Sequence, residues 1–272
     1  MVAVRRGLYV LLIALFALGL LPAQPAAAED TVYRLIVTPQ IWAANIPITW
    51  SQSLSGSQTA NVHSEKTFYP QYGGNVALQV STWTFAVGLL STDYALIRDI
   101  SGGGVPANTQ DRIEISRVDT DFAITYTFLD VIKDVMDFTV GLGVKFVHLD
   151  GVYQITNPVG VRYTATGRIR ETFNENIYGP TIPMSFNFHL TKSLFLPISL
   201  TGMAARDEYD STFGTNTTKT AYGGTADIAL RYIFENGVAV TAGYRGQYIS
   251  GGPTGEFGAH GPFIGMSVPF SF

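Results

Sequence analysis

Cysteine is absent from all 272 residues. Disulfide staples and thiolate metal sites are therefore excluded, and the fold must hold through its backbone ladder and its packing alone. Charge is the second shortage. Asp, Glu, Lys and Arg make up 14% of the chain, against about 25% in an ordinary water-soluble domain. With a formal net charge of −4, the composition carries no basic excess, and no nucleic-acid partner is expected. Long apolar runs are the third. Past the N-terminal region the longest uncharged stretch, Thr67 to Thr92, is broken by Pro70, Gly73, Gly74, Asn75 and Gln79, so it does not read as a membrane helix. What the chain has instead is 46% hydrophobic residues, 28 glycines and 12% aromatics. A chain too apolar for water but without spanning helices has one other way to satisfy its backbone in lipid, the closed β-barrel.

The N-terminal region carries a basic start (Arg5, Arg6), an apolar run from Leu8 to Leu21 and a small-residue stretch with Ala26 and Ala28. That layout predicts a secretory signal peptide over 1–28, cleaved after Ala28, with 29–272 as the mature domain. The apolar run is short for a retained anchor helix, which needs about 20 residues.

The rest of the chain repeats one unit, about ten alternating residues and then a break. In "DFTVGLGVKFVHL", Phe138, Val140, Leu142, Val144 and Phe146 oppose Thr139, Gly141, Gly143 and Lys145. In "GTADIALRYIF", Ala226, Ile228, Leu230, Tyr232 and Phe234 oppose Thr225, Asp227, Ala229 and Arg231. Period two with one polar face is the signature of a transmembrane barrel. The alternation predicts strands over 31–46, 73–81, 83–98, 113–128, 137–150, 177–190, 194–207, 221–234, 238–250 and 261–272. The expected fold is thus an all-β, up-and-down antiparallel transmembrane barrel of ten strands, with twelve or eight as fallbacks. The stretch from Asp150 to Asn176 could hide a further hairpin, but that would put Arg162, Arg168 and Arg170 against lipid, where an arginine costs about 2–4 kcal/mol at the midplane. Extensions of the two flanking strands above the membrane are preferred.

Connections are short at Ser81-Thr82, Leu129 to Met136, Thr191 to Ser193 and Glu235 to Gly237. They are long and polar in "DISGGGVPANTQ" and "EYDSTFGTNTTKT". In bacterial barrels the short turns are periplasmic and the long loops extracellular.

The chain ends in "GPFIGMSVPFSF", with Ile264, Met266, Val268, Phe270 and Phe272 at alternate positions. This ending resembles the terminal aromatic signature of the bacterial outer-membrane β-barrel superfamily. The resemblance covers about twelve residues. It implies an integral protein of the outer membrane, surrounded by its lipid and inserted by the barrel-assembly machinery, with these five residues as the recognised signal.

Inward parity selects the lumen. Its charged candidates are Arg34, Arg117, Asp119, Asp121, Lys145, Asp227, Arg231 and Arg245, joined by His189, Gln40 and Gln247. Charges of both signs in a narrow interior must be paired and hydrogen-bonded. The expectation is a charge-paired, largely filled lumen in a structural or surface-exposed, non-enzymatic protein. A narrow pore for small solutes lined by the same residues is the first alternative. An adhesin or ligand-binding barrel acting through Ser51 to Ser57, Ser101 to Asn108 and Thr215 to Thr220 is the second. Ten strands and the chain's size also resemble the omptins, whose rim site uses acidic pairs and a His–Asp pair. The candidates for such a site are His148 with Asp150, Asp119 with Asp121, and Asp207 with Asp210, and none fits that pattern residue by residue. His63 and His260 read as isolated loop residues. No cofactor motif or metal-ligand spacing is present.

Overall fold

The computed structural model describes residues 33–46, 49–53, 59–101, 109–156, 170–211, 216–252 and 255–271. They form twelve strands: β1 (Tyr33–Asn45), β2 (Thr49–Ser53), β3 (Thr59–Ser64), β4 (Phe68–Val80), β5 (Trp83–Ser101), β6 (Thr109–Ile132), β7 (Met136–Thr156), β8 (Arg170–His189), β9 (Leu194–Ser211), β10 (Thr217–Ile233), β11 (Ala239–Gly252) and β12 (Gly255–Ser271). Every pairing is antiparallel. Consecutive strands from β4 to β12 pair with one another, and β1 pairs with both β4 and β12. The ring of ten strands, β1 and β4 to β12, is therefore closed and leaves no edge exposed. The closing ladder runs from Arg34 opposite Ser271 to Asn45 opposite His260.

Short connections gather at one end, as the sequence predicts. Ser81, Asp130, Asp134 and Gly237 take positive φ angles there, at 56°, 50°, 59° and 82°. Thr191 Oγ1 accepts from the Ser193 and Leu194 amides at 3.2 and 3.0 Å, and Asn236 Oδ1 from the Val238 amide at 3.1 Å. These are the local side-chain bonds that make tight turns.

The two wall faces differ. Phe85, Val87, Phe122, Ile124, Leu142, Val144, Ile182, Ile228, Leu230, Ile264 and Met266 are exposed on the outside. Aromatic residues flank this belt. Trp83, Tyr126, Phe128, Tyr232 and Phe234 mark the turn end, where Trp83 and Tyr126 meet at 5.0 Å. Tyr72, Phe146, Tyr222, Tyr244 and Tyr248 mark the other. An apolar belt between two aromatic girdles on a closed sheet is a membrane-spanning barrel. Above the belt the outward side chains become polar: Glu114 and Ser116 on β6, His148 and Asp150 on β7, Arg206 and Glu208 on β9.

Ten spanning strands match the expectation among the described residues, and 157–169, where a further hairpin was the alternative, falls outside them. The β7 strand continues to Thr156 and β8 starts at Arg170. Three expectations are corrected. Of the expected loops, Ser51 to Ser53 lie in β2, which pairs with β3 as a hairpin that extends the wall along the outer end of β5. Thr217 to Thr220 lie in β10, while 54–57, 102–108 and 215 fall outside the described residues. His63 lies in β3, with Nδ1 3.4 Å from Asp99 Oδ2. His260 lies in β12, its Nδ1 hydrogen-bonded with the Tyr244 hydroxyl. The predicted signal peptide (1–28) and Phe272 fall outside the described residues. Of the terminal stripe, Ile264, Met266 and Phe270 face outward and exposed, with Val268 half-buried.

Candidate functional site: the barrel lumen

Alternation in each strand delivers one residue in two to the interior, and the lumen is layered along its axis. Toward the turn end it is lined by small polar side chains. Thr127 and Thr139 hydroxyls lie 2.9 Å apart, Ser185 and Ser199 3.0 Å, and Thr38 donates to Ser267 at 2.9 Å. His189 Nε2 lies 2.9 Å from Asp137 Oδ2. Arg231 is half-buried, and its Nε has no hydrogen-bond partner. It therefore stands apart from the ion pairs that its inward parity predicts it to join. Arg34 is exposed at the start of β1.

The middle layer holds the charges. Arg117, 1% exposed, grips Asp119 with two bonds, Nε to Oδ1 at 2.6 Å and Nη2 to Oδ2 at 2.9 Å. Such a fork is the strong form of the guanidinium–carboxylate pair. The Lys145 ammonium lies 3.3 Å from Asp119 and donates to both Asp121 oxygens at 3.0 and 3.1 Å. Arg245 grips Asp227 in the same forked way at 2.8 and 2.9 Å and lies 5.0 Å from the Phe263 ring centre.

The decisive contacts cross the barrel. Gln247 on β11 accepts from Arg117 Nη2 at 3.1 Å and donates to Asp119 Oδ2 at 3.0 Å. In the ring order, β6 and β11 stand five strands apart, on opposite walls. The Arg117 guanidinium also lies 3.9 Å from the ring centre of Phe257 on β12. Those pairs span the interior directly from one wall to the other.

Toward the long-loop end the lumen is mainly apolar, with Glu175 and Asp207 buried among the apolar side chains. Trp42, Val62, Tyr69, Tyr94, Leu96, Ile113, Ile115, Val147, Leu149, Phe173, Ile177, Met203, Ile249 and Phe257 form one buried cluster. Tyr94 on β5 meets Phe257 at 6.3 Å and Tyr69 at 5.9 Å. The Trp42 indole donates to the Gly261 carbonyl at 3.1 Å. The predicted charge network thus fills only the middle of the lumen. The outer half holds a buried hydrophobic cluster, a stopper that parity reasoning, fixed on polar inward residues, did not find.

The omptin-type candidates do not assemble. His148 and Asp150, 3.3 Å apart, are on the outside of β7, where His148 also meets Asn176 Oδ1 at 2.7 Å. Asp119 and Asp121 are inside, occupied by Arg117 and Lys145. Asp207 is fully buried in the lumen, and Asp210 is exposed. Among the described residues no three His, Asp or Glu side chains converge as metal ligands. Sequence reasoning missed Asp137, Glu175 and Tyr94. Asp137 and Tyr94 share the inward parity of neighbours already counted, and Glu175 lies just beyond the predicted start of its strand.

No protein-family model matches the sequence, and no curated protein matches it. Among solved structures the chain is similar to the outer membrane protease OmpT from Escherichia coli, at 10% identity over 92% of this chain and 99% of that one, with a TM-score of 0.49. It is similar to the outer membrane protein OprG from Pseudomonas aeruginosa at 12% identity, covering 89% and 98%, with a TM-score of 0.35. It is also similar to the β domain of the Bordetella autotransporter BrkA at 14% identity, covering 89% and 100%, with a TM-score of 0.39. With identities and scores this low, the barrel assignment rests on the strand pairing itself.

Proposed function

We propose that this chain is an integral outer-membrane barrel protein with a lumen closed to solutes, serving a structural or surface-exposed role without enzymatic activity. The observation that carries the reading is the bridge from Arg117 and Asp119 on β6 to Gln247 on β11, capped by the apolar stopper. Desolvated charges that satisfy one another across a lumen leave no hydrated path for a third ion. Outer-membrane lipid is then its surroundings, and the barrel-assembly machinery its partner during insertion. Any extracellular ligand would meet the long-loop end rather than the lumen. The test is steady conductance in planar bilayers. Wild-type protein should give little or none. Arg117→Ala with Gln247→Ala, which removes both cross-lumen hydrogen bonds, should give intermittent current. Stable, reproducible wild-type channels that pass small solutes would overturn the reading and establish the narrow pore.

A further inference from the structure

Glu175 on β8 and Asp207 on β9 are both completely buried. They share the inward face of adjacent strands, Asp207 opposite Ile177 and Glu175 opposite Leu149 and Tyr209. Their surroundings belong to the apolar stopper: Phe173, Ile177, Leu149, Ala205 and Ala221. Neither Asp207 oxygen has an aligned hydrogen-bond partner. Two ionised carboxylates side by side in such a setting repel each other, and an ionised Asp207 forgoes hydration that the protein does not replace.

We propose that Glu175 and Asp207 hold a single proton between them and act as a pH-sensitive latch on the outer end of the barrel, where β8, β9 and β10 rise above the lipid belt. The inference is independent of whether the lumen conducts.

The groups that face the pair decide how it titrates. From β10, Lys219 is the direct cross-strand partner of Asp207 but is exposed at the rim, and its charge favours the ionised form of Asp207. From β6, the Arg117 guanidinium acts on Glu175, although it is already committed to Asp119. The Tyr94 phenol on β5 and the Tyr209 phenol on β9 are neutral near neutrality. Inward residues of β7 at this height, Val147, Leu149 and Gly151, carry no charge. Arg117 favours ionised Glu175, whereas hydrogen bonding from the Glu175 carboxyl favours ionised Asp207, so the two share one proton. Arg206 and Glu208, on the outside of β9 beside Asp207, place this stretch beyond the membrane. Burial raises the Asp207 carboxyl above the usual aspartate range, more than hydrogen bonding with Glu175 and the charge of Lys219 lower it.

A metal ion is the rival occupant. Calcium takes about six to eight oxygen ligands, whereas two carboxyls among alkyl and aromatic side chains offer four at most, so a proton fits the site better. The sign follows from the direction of the shift. With its folded pKa raised, Asp207 contributes fully to stability below the ordinary aspartate range. That contribution is lost as pH rises from there through the folded pKa. The outer ends of β9 and β10 should loosen over that interval.

The test is infrared spectroscopy of the detergent-folded protein in heavy water, with hydrogen exchange followed over 203–211 and 217–223. Wild type should show a protonated carboxyl C=O band below the transition. Raising the pH should remove that band and speed exchange in the two segments together. Asp207→Asn should lack the band, and its exchange in those segments should vary far less with pH. Absence of any protonated carboxyl band in the wild type, or a band unchanged in Asp207→Asn, overturns the proposal. So does a band that calcium abolishes and a chelator restores, which would make the pair a cation site.

Discussion

Replacing Asp119 by Asn keeps the side-chain shape and removes one charge from the middle of the barrel. Asp119 accepts from Arg117 at 2.6 and 2.9 Å, accepts from Gln247 at 3.0 Å and lies 3.3 Å from Lys145. The lysine retains Asp121 at 3.0 Å. The arginine retains the Gln247 oxygen and the face of Phe257, and neither neutralises a guanidinium that is 1% exposed. Leaving such a charge unpaired costs about 3–5 kcal/mol. Asp227→Asn is the control. Its partner Arg245 has the same forked bonds, but the two side chains are 15% and 18% exposed, so water absorbs part of the loss and about 1–3 kcal/mol is expected. The double variant Arg117→Met with Asp119→Leu removes both charges and should recover most of the loss, as apolar replacement of a buried pair does. Urea unfolding in detergent, followed by tryptophan fluorescence and by the mobility difference between boiled and unboiled samples, measures all three. Asp119→Asn within about 1 kcal/mol of wild type, or less damaging than Asp227→Asn, would refute the reasoning.

Gly151 lies directly opposite Phe173, and a Cβ there would come within 1.9 Å of the Phe173 ring. Gly151→Val should push that buried ring out of the stopper at a cost of about 1–3 kcal/mol, seen as faster proteolysis at the long-loop end with the belt still folded. Phe270 is exposed on the outer face of the closing strand, opposite Leu35. Phe270→Asp should reduce insertion into outer-membrane fractions while export to the periplasm continues. Normal outer-membrane levels of that variant would show that the apolar stripe on β12 is dispensable for assembly.

Much of the fold was legible because a barrel wall writes itself as alternation. The ten spanning strands, the short turns and the inward set Arg117, Asp119, Asp121, Lys145, Asp227 and Arg245 all follow from period two and from charge being admissible only on the lumen side. The ion-pair partners were not legible. Parity places Arg231 and Arg245 on the same face in neighbouring strands, yet only Arg245 reaches Asp227, because Asp227 is its direct cross-strand partner while Arg231 stands opposite Thr241. Nor could parity show that Gln247 meets Arg117 across the lumen, since that depends on the diameter of the closed ring. The β2–β3 hairpin was missed for a different reason. It stands above the lipid, where no apolar outer face is required and the alternation that marks the spanning strands is weak.

The stopper, by contrast, leaves a trace in the sequence once the lipid boundary is taken into account. In "RIEISRVDTDFAITYTF" the apolar residues are inward at Ile113 and Ile115, then outward at Val118, Phe122 and Ile124. The charges move the other way, outward at Glu114 and inward at Arg117, Asp119 and Asp121. On β7 the outward stripe from Phe138 to Phe146 gives way to inward Val147 and Leu149, with His148 and Asp150 outside. On β9 outward Ile198 and Leu200 give way to inward Met203 and Ala205, with Arg206 and Glu208 outside. Each strand therefore carries two apolar stripes on opposite faces, and the change of phase falls where the wall leaves the lipid. Below it, lipid demands an apolar exterior and the interior can be polar. Above it, water demands a polar exterior and the interior must supply the hydrophobic core. A one-residue slip in the register of any of these three strands would misplace both stripes at once. The strands are thus registered twice, by the membrane from outside and by the stopper from within. The charge layer sits at the crossing point, where an inward ion pair meets neither lipid nor bulk water.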